Sequence, residues 1–79
     1  MHYSLVAPEL ELPDAMVTVS LWLVELGAHV QAGERIVELL AGDITVDLSS
    51  PAAGILREIR VSEDEAAPAG QVLGTIEFA

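Results

Sequence analysis

A glycine and an aspartate, Gly42-Asp43, join two runs of strand-forming residues in "LLAGDITVDLSS", residues 39–50. A Gly-x pair suits a two-residue type II′ hairpin, because glycine supplies the positive φ of the first central position. The pair is therefore expected at the tip of a hairpin. An exposed carboxylate there can accept an ion pair or a hydrogen bond from a basic partner. The chain contains no lysine. Gly42, Asp43 and Ile44 form the candidate interaction tip, with a merely solvated turn aspartate as the plain alternative.

The other chemistry-bearing residues form no comparable pattern. His2 and His29 are candidate metal ligands only if three or four groups converge, and the spacing offers no such set. Glu63, Asp64 and Glu65 are consecutive in "SEDEAA". Calcium loops instead space their oxygens around a glycine turn, so a solvated acidic loop is expected. Ser49 and Ser50 lie outside any Gly-x-Ser-x-Gly elbow, and neither histidine has an evident orienting partner. No glycine-rich phosphate loop is present. Without cysteine, disulfide and thiolate-metal chemistry are excluded. No catalytic and no metal residues are assigned, and the chain is not expected to be an enzyme.

Composition narrows the partners. The formal charge is −10, and Arg35, Arg57 and Arg60 are the strong bases. Such a surface repels phosphate backbones and anionic bilayers, so neither nucleic acid nor membrane is expected as a partner. A basic protein partner is compatible with it. The longest nearly apolar run, "AMVTVSLWLV", falls far short of the roughly 20 residues of a membrane helix. The opening "MHYSLVAPELELPDA" lacks a basic start followed by an apolar stretch, so no signal peptide is read and a cytoplasmic location is expected. Oligomeric state is not legible.

Seventy-nine residues make one domain, and a chain this short buries only about 60% of its unfolded surface. The periodicity is β throughout. Strands are expected in "HYSLVA", "VTVSLWLV", "RIVELLA", "ITVDLS", "ILREIRV" and "QVLGTIEF". The loops are "PELELPDA", the Gly27–Gly33 connection, "SPAAG" and "SEDEAAPAG". In "ITVDLS", Ile44, Val46 and Leu48 alternate with Thr45 and Asp47, one face in and one face out. An internal repeat reinforces this. A shift of 37 residues lays Val24 on Val61, Gly27 on Asp64, Gly33 on Gly70, Ile36 on Leu73 and Leu39 on Ile76. Two copies, approximately residues 17–41 and 54–78, are expected to pack as a pseudo-two-fold pair within a single 1–79 domain, because neither buries its apolar face alone. The hairpin at Gly42-Asp43 then sits at one pole and the chain ends at the other.

The residues also resemble a family. "APELELPDAMVTVSLW", "LGAHVQAGERIVEL", "ITVDLSSPAAGILREIRV" and "DEAAPAGQVLGTIE" are similar, in order and spacing, to the lipoyl/biotinyl attachment domains. The likeness is greatest to lipoyl domains of 2-oxo acid dehydrogenase acyltransferases. The resemblance runs without a gap over almost the whole chain. It implies an all-β flattened barrel or sandwich of two four-stranded antiparallel sheets, and a swinging-arm carrier. In that family an Asp-Lys-Ala turn presents a lysine, amide-linked to lipoate. Here the turn reads Gly42-Asp43-Ile44, so Asp43 stands where the resemblance places the lysine. The Met-Lys-Met signature of biotinyl domains is absent as well.

On this reading the family cofactor, lipoate, is not attachable and no cofactor is expected. The chain would act by protein contact as an accessory domain of a 2-oxo acid dehydrogenase-type complex, whose components are the expected partners. Two alternatives stand beside it. One is a structural or assembly domain of a longer polypeptide. The transporter-adaptor version of this is disfavoured, because no helical hairpin interrupts the repeat. The other is a true carrier whose lysine has been replaced at position 43.

Overall fold

β-Branched and aliphatic residues in alternation, cut at short intervals by glycine and proline, build strands and nothing else. In a computed structural model, residues 1–11 and 16–78 are described, and no helix occurs among them. The strands are β1 His2–Val6, β2 Val17–Trp22, β3 His29–Val30, β4 Arg35–Ala41, β5 Ile44–Ser49, β6 Gly54–Ile59 and β7 Val72–Glu77. Six lie where the alternation places them. The seventh, β3, falls inside the Gly27–Gly33 stretch expected to be loop. Its two residues pair with Gly54 and Ile55 of β6. Of the loop expected at "PELELPDA", Pro8–Glu11 is in no strand, and residues 12–15 lie outside the described residues.

The strands form two antiparallel sheets, ordered β1-β7-β6-β3 and β2-β4-β5. The expectation of two four-stranded sheets is corrected: the second has three strands. Its fourth position is taken by the acidic loop, which touches β2 through a single bridge, Thr18 to Ala66. Around it the Asp64 amide donates to the Val19 carbonyl (2.7 Å), the Val19 amide to Glu65 (3.0 Å) and the Ala67 amide to Val17 (2.8 Å). Two alanines beside three acids have little strand propensity. The backbone of β2 therefore holds this segment in place without extending it into a strand.

One core lies between the sheets. Val30, Leu56, Leu73 and Ile76 from the first meet Val19, Ile36, Val37 and Leu39 from the second. Each large aliphatic side chain removed from water contributes about 1.5–3 kcal/mol. Trp22 ties the layers together. Its Nε1 donates to the Val61 carbonyl (2.9 Å). Its ring lies against Gly74 of β7, where an added Cβ would stand 3.0 Å from Cη2 and collide with the Glu58 carbonyl. The turns at Gly33 and Gly70 share positive φ values of 84° and 88°, and Gly27 and Asp64 share 89° and 72°.

A bulge in β2 sets which residues face out. Val19 pairs with Leu39, but Leu21 pairs with Glu38, so Ser20 is the extra residue. A bulge shifts the alternation by one. Val19 is fully buried, Leu21 is exposed, and Trp22 turns inward to the core.

Candidate functional site

The β4–β5 hairpin closes where Ala41 pairs with Ile44, leaving Gly42 and Asp43 as a two-residue turn. Gly42 has φ 61°, and Asp43 is not among the residues with positive φ. One positive φ at the first central position is the type II′ pattern, whereas type I′ needs two. Backbone geometry therefore requires the glycine and leaves position 43 free in side-chain identity. Ala41 is buried beneath the turn, while Gly42 and Asp43 are exposed. Ile44 is also exposed (51%), so the alternation that placed it inward is corrected. It has the inward phase of Val46 and Leu48, but it sits at the end of the sheet, beyond the reach of the opposite layer.

Asp43 makes no ion pair among the described residues. The three arginines are engaged elsewhere: Arg35 with Asp47 (3.1 Å), Arg57 with Glu77 (3.2 Å) and Arg60 with Glu58 (2.9 Å). The tip thus presents a carboxylate with no neutralising partner of its own. Chemically it can accept hydrogen bonds and attract a cation.

The remaining candidates resolve into structural roles. His2, Glu77, Ile55 and His29 lie in one row across the four-stranded sheet. Strands are about 4.8 Å apart, so the two histidines are separated by roughly 14 Å and cannot share an ion. Among the described residues, His2 approaches Glu77 at 4.0 Å. No metal-holding group of three occurs among the described residues. Ser50 is buried and its hydroxyl donates to the Ala52 carbonyl (2.6 Å), while Ser49 is exposed. In the acidic loop Glu63 accepts from the Trp22 amide (3.0 Å) and Glu65 from the Ser62 amide (2.6 Å), so both carboxylates serve the local backbone. A shallow groove of about 500 Å³, with His29, Gln31, Ile55, Glu77 and Phe78 in its lining, was not visible in the sequence. It forms where β3, β6 and β7 end together, a meeting that only tertiary pairing creates.

The biotin/lipoyl family model, described as biotin-requiring enzyme, matches residues 8–76. The dihydrolipoyllysine-residue succinyltransferase component of the 2-oxoglutarate dehydrogenase complex of Bacillus subtilis is 30% identical over 69 residues, covering 87% of this chain and 16% of the relative. The dihydrolipoyllysine-residue acetyltransferase component of the pyruvate dehydrogenase complex of Corynebacterium glutamicum is 30% identical over 76 residues, covering 96% of this chain and 11% of the relative. The chain thus spans less than a fifth of the length of these curated relatives. The solution structure of the lipoyl domain of the 2-oxoglutarate dehydrogenase complex from Azotobacter vinelandii superposes with a TM-score of 0.81 at 25% identity, covering 95% of both chains. In sequence over residues 8–76, and in its two antiparallel sheets, this chain belongs to the biotin/lipoyl attachment domain family.

Proposed function

We propose that this chain is a lipoyl-type domain that carries neither lipoate nor biotin covalently and works by protein contact. Its setting would be a 2-oxo acid dehydrogenase-type assembly, as an accessory rather than a catalytic element. The observation that carries the reading is the Gly42-Asp43 turn, in a chain without lysine. Under the resemblance through "ITVDLSSPAAG", Asp43 would stand at the attachment position. An amide to lipoate or biotin needs an amine, and the tip offers a carboxylate. The residues present therefore do not fit the family's prosthetic groups, and no carrier step is assigned to them. What the tip does fit is a basic contact on another protein. Gly42, Asp43 and Ile44 would be its centre, since Asp43 is exposed and has no cation of its own.

The test is a mass measurement on Asp43→Lys incubated with a lipoate ligase and lipoate. The type II′ turn asks position 43 only for a negative φ, which lysine adopts without strain, so the variant is expected to fold as the parent does. A lipoyl-sized mass gain supports a carrier domain disabled at one residue. No gain, with circular dichroism unchanged, would sink the dehydrogenase reading, because the surface a ligase recognises would have diverged. In a second arm, Asp43→Ala is expected to weaken capture by immobilised dehydrogenase components. Undiminished capture removes the tip from the account.

A further inference from the structure

A stripe of exposed apolar side chains runs along the outer face of the three-stranded sheet. Leu21 of β2 pairs with Glu38 of β4, and Thr18 pairs with Leu40 two residues further along, so Leu21 and Leu40 are diagonal neighbours on one face. Met16 precedes Thr18 by two residues and extends the stripe toward the hairpin tip. Leu23 extends it the other way, its amide donating to the Ile36 carbonyl (2.8 Å). Exposure is 78% for Met16, 38% for Leu40, 45% for Leu21 and 39% for Leu23. Single exposed leucines are ordinary on a protein surface, whereas four apolar side chains in a line make a contiguous patch of the kind that partners cover.

Charge specifies what such a surface would accept. Glu38 lies within the stripe and forms no ion pair among the described residues. Asp43 in the turn and Asp47 on β5 flank it, and Asp47 already holds Arg35, the cation on this face (3.1 Å). The acidic loop with Glu63 and Glu65 runs along the other edge of β2. The remaining arginines are both on or beside β6, in the other sheet. A second copy of this chain is a poor occupant, since each copy has a formal charge of −10 and would set Glu38 and Asp43 against their own duplicates. The occupant is therefore apolar along its centre and basic along its flanks. An extended peptide joins a sheet at its edge, whereas a sheet face is covered by a helix or a second sheet, and of these a helix sets one apolar stripe between two polar flanks. From Met16 to Leu23 the strand advances about 23 Å, the length of a helix of about 15 residues.

We propose that this face is a docking surface for a basic amphipathic helix of a partner protein, about four turns long. The inference stands apart from the lipoyl reading of the tip, because Leu21, Leu23 and Glu38 have no part in attachment at position 43.

The probe is a synthetic helix of about 15 residues with leucines on one stripe and arginines on both sides of it. Its binding to the intact chain would be followed by fluorescence anisotropy and amide chemical shifts. Shifts are expected at Leu21, Leu23, Glu38 and Leu40. The double variant Leu21→Ser/Leu40→Ser should weaken binding about tenfold, with the fold unchanged because both side chains are exposed. Glu58→Gln, on the other sheet, should bind as the parent does. Parent-like binding by the leucine variant, or shifts spread evenly over every acidic segment, would overturn the proposal in favour of undirected charge attraction. A concentration-dependent dimer in analytical ultracentrifugation that the leucine variant abolishes would overturn it in favour of self-association. Either result leaves the Asp43→Lys mass measurement unaffected.

Discussion

Replacing Trp22 with phenylalanine should cost about 2–4 kcal/mol, a large share of what holds so small a domain together. The indole Nε1 donates to the Val61 carbonyl at 2.9 Å in a partly buried position, and Val61 itself is buried. Deleting the donor leaves that carbonyl without the bond, at about 1–3 kcal/mol. Phenylalanine also withdraws the outer ring atoms that lie against Gly74, opening a small void between the sheets, and a void of about one methyl group costs about 1 kcal/mol. For a domain of this size each kcal/mol moves the melting temperature by roughly 4–8 °C, so a drop of about 10–30 °C is expected. The variant has no tryptophan, so far-ultraviolet circular dichroism during thermal and urea unfolding is the assay. A loss below about 0.5 kcal/mol, the scatter of ordinary surface changes, would refute the reasoning and relegate the indole to a surface ornament. Gly74→Ala offers an internal check. In the parent it should meet both the indole and the Glu58 carbonyl, whereas in the Trp22→Phe background only the carbonyl remains. Its cost should therefore fall without vanishing, and strict additivity would argue against the contact.

Two further outcomes follow from the same local geometry. Gly42→Ala forces an L-residue to φ 61° and should lose about 1–2 kcal/mol in a urea titration, while Asp43→Ala stays within about 0.5 kcal/mol. Ser50→Ala removes the 2.6 Å bond to the Ala52 carbonyl from a buried site and should cost about 1–3 kcal/mol, read as an unchanged urea slope with a lowered midpoint.

The strands with long alternating runs were legible because their pattern and their burial coincide. "RIVELLA" and "ITVDLS" became β4 and β5 at the boundaries the sequence suggested. β3 was not legible: two residues between glycines carry no period, and only pairing with Gly54 and Ile55 makes them a strand. The weakness of the second sheet's fourth strand was hidden for the converse reason. The family resemblance implied it, while the alanines and acids of residues 62–67 could not sustain it. The tip was readable because a Gly-x pair between strands has one common geometry. The leucine stripe was not, because plain alternation places Leu21 on the same face as Val17 and Val19. The bulge at Ser20 reverses that, and a bulge leaves no mark in composition.

The pairing of the chain ends has a mechanical consequence. Met1 and Phe78 bond to one another through backbone groups in both directions, at 3.1 and 2.9 Å, and β1 then runs antiparallel to β7 from His2 opposite Glu77 inward. A pull applied at the two ends therefore enters at one end of a single ladder whose bonds lie across the strands. The load falls on one pair at a time, as on the teeth of a zip, and is never shared along the strand. Such a domain yields to small forces by peeling β1, and the peel draws Leu5 from the core after only a few pairs have parted. Its resistance to heat and its resistance to tension are thus set by different residues. Core packing governs the first, and the few bonds nearest Met1 and Phe78 govern the second.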